Sequence, residues 1–114
     1  MNNPNLLILL FFIATISSCI YDEDVCNTVE VSYADEIVPL IDANCFSCHE
    51  DEDNYTGLCL ATYELVSDST TLSHILERIQ LDLNDDDIMP PNTPLSDCQI
   101  DIFKAWVEQG AQNN

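Results

Sequence analysis

The run Cys45-Phe46-Ser47-Cys48-His49 constrains this chain of 114 residues more than any other feature. Two thiols at this spacing can form thioethers with the two vinyl groups of one haem, and the adjacent histidine can then reach the iron. The same spacing also fits half of a zinc site or a redox-active dithiol. The run therefore predicts a cofactor or metal site near the middle of the chain, with three kinds of chemistry still open.

The N-terminal segment has the pattern of an exported lipoprotein. Residues 6–13 form a nearly unbroken apolar run, which is too short to cross a bilayer but suits a signal peptide. The run leads to Ile16-Ser17-Ser18-Cys19, which resembles a bacterial lipobox, although no Lys or Arg precedes it. We expect a signal peptide over 1–18, lipid on Cys19 and an acidic tether over 19–32. The folded domain, 33–114, would then lie outside the cytoplasm, anchored to a bacterial membrane.

The charge balance of the chain is strongly acidic. Its 21 Asp and Glu residues oppose 2 Lys and Arg residues, which gives a net charge of −19. Nucleic acid is excluded as a partner, because its phosphates need basic groups on the protein. Anionic lipid headgroups would also repel the chain, so that membrane attachment would depend on the lipid at Cys19. The acidic surface serves solubility or a docking face for a basic redox partner.

Apolar residues recur with helical spacing, and no segment alternates as a strand does. The clearest stripe has four members at positions i, i+3, i+4 and i+7: Leu72, Ile75, Leu76 and Ile79. An earlier stripe leads directly into Cys45, and Pro39 must lie in the first turn of that helix or bend it. A short helix is expected over 62–66. The pattern predicts an all-α domain of three to four short helices.

The C-terminal part predicts a loop followed by the best-defined helix. Residues 82–95 contain three prolines and four aspartates, which favours a loop. Ser96 and Gln99 have the spacing of a capping box, and Gly110 stands where a helix commonly ends. Trp106 lies on the apolar stripe of this helix, as expected for packing in the core or against a cofactor.

Taken in order, these motifs resemble a class I cytochrome c domain of the small kind found in bacterial lipoproteins. The match spans about residues 33–112 and comprises Val38-Pro39-Leu40-Ile41, the Cys-x-x-Cys-His run, Gly57-x-x-Leu60, Tyr63, Met89-Pro90-Pro91, Leu95-Ser96 and Trp106-x-x-x-Gly110-Ala111. The resemblance implies a cytochrome c-like bundle around one covalently bound haem c. It also implies thioether bonds from Cys45 and Cys48, with His49 as the proximal and Met89 as the distal iron ligand.

With both axial positions of the iron taken, such a protein would transfer single electrons and would not activate oxygen. We therefore expect an electron carrier that acts between redox proteins, and not an enzyme on its own, although it could serve as a subunit of one. Two other classes stay open. One is a haem-free lipoprotein that binds zinc or works as a redox dithiol, and the other is a haem-bearing sensor or recognition module. His74 is the rival of Met89 for the iron, but it falls off the apolar stripe, so we expect it to be solvated.

Three cysteines are left once one is assigned to lipid and two to haem: Cys26, Cys59 and Cys98. In an oxidising compartment, an odd number implies one pair and one spare thiol. Because Cys59 and Cys98 both lie inside the expected folded domain, we expect a disulfide between them. Cys26 would then lie in the tether, free or bridged to a second chain.

Overall fold

A computed structural model of the chain describes residues 26–53 and 56–114. Its regular elements in that part are all helical, with no strand. A π-helical turn, Tyr33–Ile37, runs directly into α1 (Val38–Asn44), and α2 (Phe46–His49) follows after one residue. The remaining helices are α3 (Tyr63–Val66), α4 (Ser69–Ile79) and α5 (Asp97–Glu108). The all-α prediction is confirmed, with five α-helices in the described part where three to four were expected.

Side-chain caps explain where the helices begin. Thr62 accepts a backbone N–H of the first turn of α3, and Asp68 accepts two from the first turn of α4. Ser96 and Gln99 form the predicted capping box ahead of α5. Pro39 lies in the first turn of α1, where the pyrrolidine ring is best tolerated. Local sequence signals therefore set these helix starts.

The end of α5 is a reversal of the backbone at Gly110. Its φ of +97° favours glycine, and Ala111 follows with a φ of +47°. The N–H of Ala111 donates to the carbonyl of Trp106 at 2.9 Å, and that of Gly110 donates to Val107 at 3.0 Å. These are the two hydrogen bonds of a Schellman motif. The reversal brings Asn114 back to the π-helical turn, where its backbone oxygen accepts the N–H of Ala34 at 3.0 Å.

The core lies between α5 and the π-helical turn. Trp106 is fully buried, and its ring packs 5.4 Å from that of Tyr33 and 5.6 Å from that of Phe103. The indole N–H donates to the carbonyl of Gln112 at 2.9 Å, which satisfies its one polar group. Trp106 is therefore a core residue. Other buried side chains of the core are Val31, Ile37, Leu40, Ile41, Leu60, Val66, Ile79, Leu95 and Ala111.

Residues 26–32 are packed against the helices, so the expected boundary between tether and domain near Tyr33 needs correction. Val31 is 1% exposed, and its N–H donates to Oε1 of Gln109 at 3.0 Å. The amide of the same Gln109 donates to the carbonyl of Thr28 at 3.0 Å. The segment shows no apolar period because Val31 alone among its residues is buried. That is why its sequence indicated a tether.

A disulfide joins Cys26 to Cys98, and Cys59 is an unpaired thiol. The expected Cys59–Cys98 pair is therefore wrong. The packed segment 26–32 brings Cys26 to the first turn of α5, where the Cα atoms of the pair are 5.5 Å apart, an ordinary disulfide distance. Cys59 lies in the loop after α2 instead, with its thiol 3.7 Å from the carbonyl oxygen of Glu50. We call residues 26–34, together with Cys98, Gln109 and Asn114, the clasp.

The expected signal peptide, 1–18, and the lipid-modified Cys19 lie outside the described residues. A helix needs about 20 apolar residues to cross the hydrocarbon core of a bilayer. The longest helix in the described part, α5, has 12 residues. None of the helices described here combines the length and the apolar character that a membrane span requires.

Candidate functional site

One cleft brings together the four residues predicted to hold a cofactor. Cys45, Cys48, His49 and Met89 all line it, and its volume is about 740 Å³. That volume falls in the range of small-molecule and cofactor sites. Its apolar lining includes Ile41, Leu58, Leu60, Ile75, Ile79, Leu95 and Phe103, together with Pro90 and Pro91, which follow Met89 in the sequence. The fold thus joins two motifs that are 40 residues apart in the sequence.

Helix α2 places the residues of the Cys-x-x-Cys-His run on one side of this cleft. The N–H of Cys45 donates to the carbonyl of Ile41 at 2.8 Å, which continues the hydrogen bonding of α1. The N–H of His49 donates to the carbonyl of Cys45 at 3.1 Å and closes the single turn of α2. Residues three and four apart share a helix face. Cys48 and His49 therefore follow Cys45 along the same wall.

The imidazole of His49 is oriented by the loop that follows α2. Its Nδ1 lies 2.9 Å from the carbonyl oxygen of Leu58 and 3.0 Å from the hydroxyl of Thr56. A carbonyl only accepts hydrogen bonds, so Nδ1 donates to Leu58, and Nε2 is the ring nitrogen left to bind a metal. The backbone carbonyl of His49 also accepts the N–H of Leu60 at 2.9 Å. The loop therefore orients the imidazole so that Nε2 is the ring nitrogen that could bind a metal.

The sequence did not predict Leu58 and Thr56 as the partners of this ring. Gly57 between them has a φ of +69°, which favours glycine. The glycine was part of the matched Gly57-x-x-Leu60 motif, and it is the one sequence signal of the turn that brings the Leu58 carbonyl back to His49.

Burial raises the pKa of the Cys45 thiol to about 11. Because burial disfavours the thiolate, the Cys45 thiol of the haem-free chain is mostly protonated at neutral pH. In the described part of the chain, no three His, Cys, Asp or Glu side chains are grouped so that they could hold a metal ion.

Met89 reaches the cleft on the loop between α4 and α5, residues 81–95, which we call the Met89 loop. The N–H of Met89 donates to the carbonyl of Arg78 at 3.1 Å, next to the end of α4. The preceding residue, Ile88, is buried, and so is Leu95 near the end of the loop. Met89 itself is 38% exposed, so its thioether is accessible from the cleft.

Helix α4 adds two polar side chains to the cleft, His74 and Arg78. His74 is exposed, in agreement with the prediction, but its place on the cleft wall was not predicted. Arg78 pairs with Asp87 of the Met89 loop, with 3.0 Å between Nη1 and the carboxylate oxygen Oδ2. The sequence signal for Arg78 is that it is the single arginine of a very acidic chain.

Comparison of the chain with protein-family models, with curated proteins and with solved structures found no match. The interpretation of the cleft therefore depends on its own residues, their spacing and their hydrogen bonds.

Proposed function

We propose that this protein is a single-haem c-type cytochrome that carries electrons outside the cytoplasm, tethered to a bacterial membrane through lipid on Cys19. The main support for the proposal is that one largely apolar cleft is lined by Cys45, Cys48, His49 and Met89. The cytochrome c-like arrangement of the helices around that cofactor is part of the same proposal.

The groups that line the cleft fit a covalently attached haem. Cys45 and Cys48 offer two thiols at the spacing of the haem vinyl groups, and His49 offers Nε2. Met89 adds a thioether from another part of the chain. Haem iron needs only two protein ligands, so a cluster of three or four His, Cys, Asp or Glu side chains is not required. The apolar wall suits the porphyrin ring, as in most cofactor sites.

A haem held in the cleft would supply a one-electron couple between ferric and ferrous iron. The chain's own residues would tune that couple. The carbonyl of Leu58 accepts the Nδ1 proton of His49 at 2.9 Å, which fixes the ring and raises the basicity of Nε2. The thioether of Met89 favours the ferrous state relative to a second imidazole. Together the two ligands would close the iron to oxygen and peroxide, as an electron carrier requires.

The surface charge and the tether would select the partners. A net charge of −19 fits redox proteins that present a basic docking face. Attachment to the membrane raises the effective concentration of such partners when they share that membrane. The protein would then act alone as a shuttle or within a larger oxidoreductase.

Haem staining of the exported protein on a denaturing gel tests the proposal, because thioether-linked haem stays on an unfolded chain. The wild-type band should stain, and the double variant Cys45→Ser/Cys48→Ser should not. Cys59→Ser is the matched control, since it removes the third unpaired thiol of the described part and should leave the stain unchanged. A wild-type band without stain would overturn the proposal, and zinc bound to that protein would favour the metal-binding alternative.

A further inference from the structure

We propose that Arg78 is the positioning residue of Met89, which it holds at the cleft by fixing residues 87–89 of the Met89 loop to α4. The role of Met89 as an iron ligand rests on the proposed function. The contact between Arg78 and the loop does not, because it lies entirely within the polypeptide.

The first tie is made by the backbone of Arg78. Arg78 is the last residue but one of α4, so its carbonyl belongs to the last turn, where carbonyl groups have no partner inside the helix. The N–H of Met89 donates to that carbonyl at 3.1 Å. The bond satisfies the end of α4 and fixes the backbone of the residue that carries the thioether.

The second tie is made by the guanidinium group. Its Nη1 lies 3.0 Å from Oδ2 of Asp87 and 3.4 Å from the backbone carbonyl oxygen of the same residue. Asp87 precedes Met89 by two residues, and Ile88 between them is 4% exposed. Three consecutive residues are thus held by an ion pair, by burial and by a backbone hydrogen bond.

The neighbouring part of the loop lacks comparable anchors. The hydrogen bonds of Asp82, Asn84 and Asp85 connect these residues to one another or to Asp87 and Ile88, all inside the Met89 loop. Leu83 is 74% exposed. The position of Met89 therefore depends on what holds residues 87–89, and Arg78 supplies the three polar contacts described above between these residues and α4.

The side chains of Arg78 and Asp87 are 42% and 72% exposed, so their ion pair is partly screened by solvent. We expect the loss of this pair to change the overall stability of the protein very little. The effect should be local, because the pair holds a loop that carries few other contacts. This difference between a local and a global effect is what the experiment measures.

Three variants and one control define the experiment. Arg78→Gln and Asp87→Asn each remove one partner, and Arg78→Lys keeps the charge but loses the planar fork of the guanidinium group. Lys104→Gln is the matched control, because it removes the other cation of the chain. Lys104 has the same side-chain exposure of 42%, and it lies 3.9 Å from Asp101 on α5.

Two quantities are measured on the exported protein. Amide hydrogen exchange of residues 87–89 reports the loop contact whether or not haem is bound. The second quantity is the rate at which added imidazole replaces the sulfur ligand, monitored as the loss of the far-red band of the ferric protein. This rate reports how firmly Met89 is held at the iron. Arg78→Gln and Asp87→Asn should raise both rates about fivefold, Arg78→Lys should raise them less, and Lys104→Gln should leave them unchanged.

Unchanged exchange and unchanged imidazole binding in Arg78→Gln would overturn the proposal, as would an equal response in Lys104→Gln. Faster exchange without faster imidazole binding would overturn the role of Arg78 toward Met89. Absence of stainable haem in the wild type is the separate failure of the proposed function. In that case the exchange rates of residues 87–89 alone still support or overturn the Arg78 contact.

Discussion

The clasp and the Met89 loop are two regions that the fold holds in very different ways. The clasp has a disulfide, the buried Val31 and several hydrogen bonds to Gln109 and Asn114. The Met89 loop is held by two buried side chains and by its polar contacts with Arg78. None of the clasp residues lines the cleft, whereas Met89 does.

This difference indicates that one region of the molecule contributes most to its stability and another sets the position of Met89. The disulfide and the hydrogen bonds with Gln109 join the segment before the π-helical turn to α5 and its C-terminal end. The Met89 loop, which would bind the iron, has fewer contacts, and its ion pair with Arg78 is exposed to solvent. Functional loops are commonly drawn from the less stable parts of a fold, because they must accept a ligand or a partner. Changes in the clasp should therefore alter unfolding, and changes near Arg78 should alter the site.

The largest effect on stability is expected from removal of the disulfide. The Cys26→Ser/Cys98→Ser variant frees a loop that spans a sequence separation of 72, and it should lose about 4 kcal/mol of unfolding free energy. Denaturant unfolding measures this loss, with Cys59→Ser as the control that should keep wild-type stability. The far-red band of the folded variant should be unchanged. Imidazole displacement of the sulfur ligand as fast as in Arg78→Gln would contradict the separation between the two regions.

A smaller effect on stability, confined to alkaline pH, is expected from Cys45 in the haem-free chain. The pKa of Cys45 is raised by burial from an ordinary 9.0 to about 11. The folded state thus binds the thiol proton more tightly than the unfolded state, which adds stability below pH 9. That contribution, about 2 to 3 kcal/mol, should be lost as the pH rises through 11.

The measurement is the difference in unfolding free energy between the haem-free wild type and Cys45→Ser, taken from pH 7 to pH 11. The difference should shrink with rising pH for the haem-free chain. A protein with haem bound through Cys45 would not show this pH dependence, because a thioether does not titrate. A difference that stays constant over this range would show that the Cys45 thiol is not buried in the folded chain.

A still smaller change in unfolding free energy is expected from substitutions of the two valines of the clasp. Val31 is 1% exposed, and Val31→Ala should cost about 2 kcal/mol, from the two lost carbon atoms and the cavity they leave. Val29 lies two residues earlier and is 88% exposed, so Val29→Ala should change the unfolding free energy by less than about 0.5 kcal/mol. Equal effects of the two substitutions on denaturant unfolding would mean that the segment is not packed as described.

The helices were predictable because their signals are local. The capping box of Ser96 and Gln99, the apolar stripe of α4 and the end of α5 at Gly110 each depend on residues within about two turns of one another. The four site residues were identified from motif spacing and from the resemblance to class I cytochromes c. The structure brings the four predicted residues together at one cleft.

The contacts that escaped prediction join residues of different elements or loops, at sequence separations from 9 to 72. The Cys26–Cys98 pair depends on where residues 26–32 run, and a segment with one buried residue carries no periodic signal. The ion pair of Arg78 and Asp87 is one of many that a chain with 21 acidic residues could offer to its arginine. The Leu58 carbonyl reaches His49 through a turn at Gly57, and the glycine indicates the turn without indicating which group the turn presents to the imidazole.

The central claim is that His49 and Met89 are the two iron ligands of one haem bound through Cys45 and Cys48. The most direct measurement is the optical spectrum of the exported protein in the ferric and ferrous states, beside that of Met89→His. We predict a haem spectrum that cycles reversibly, with a far-red sulfur–iron band in the ferric wild type that Met89→His lacks. A protein without haem absorption would contradict the whole account, and a ferric haem without that band would contradict the assignment of Met89.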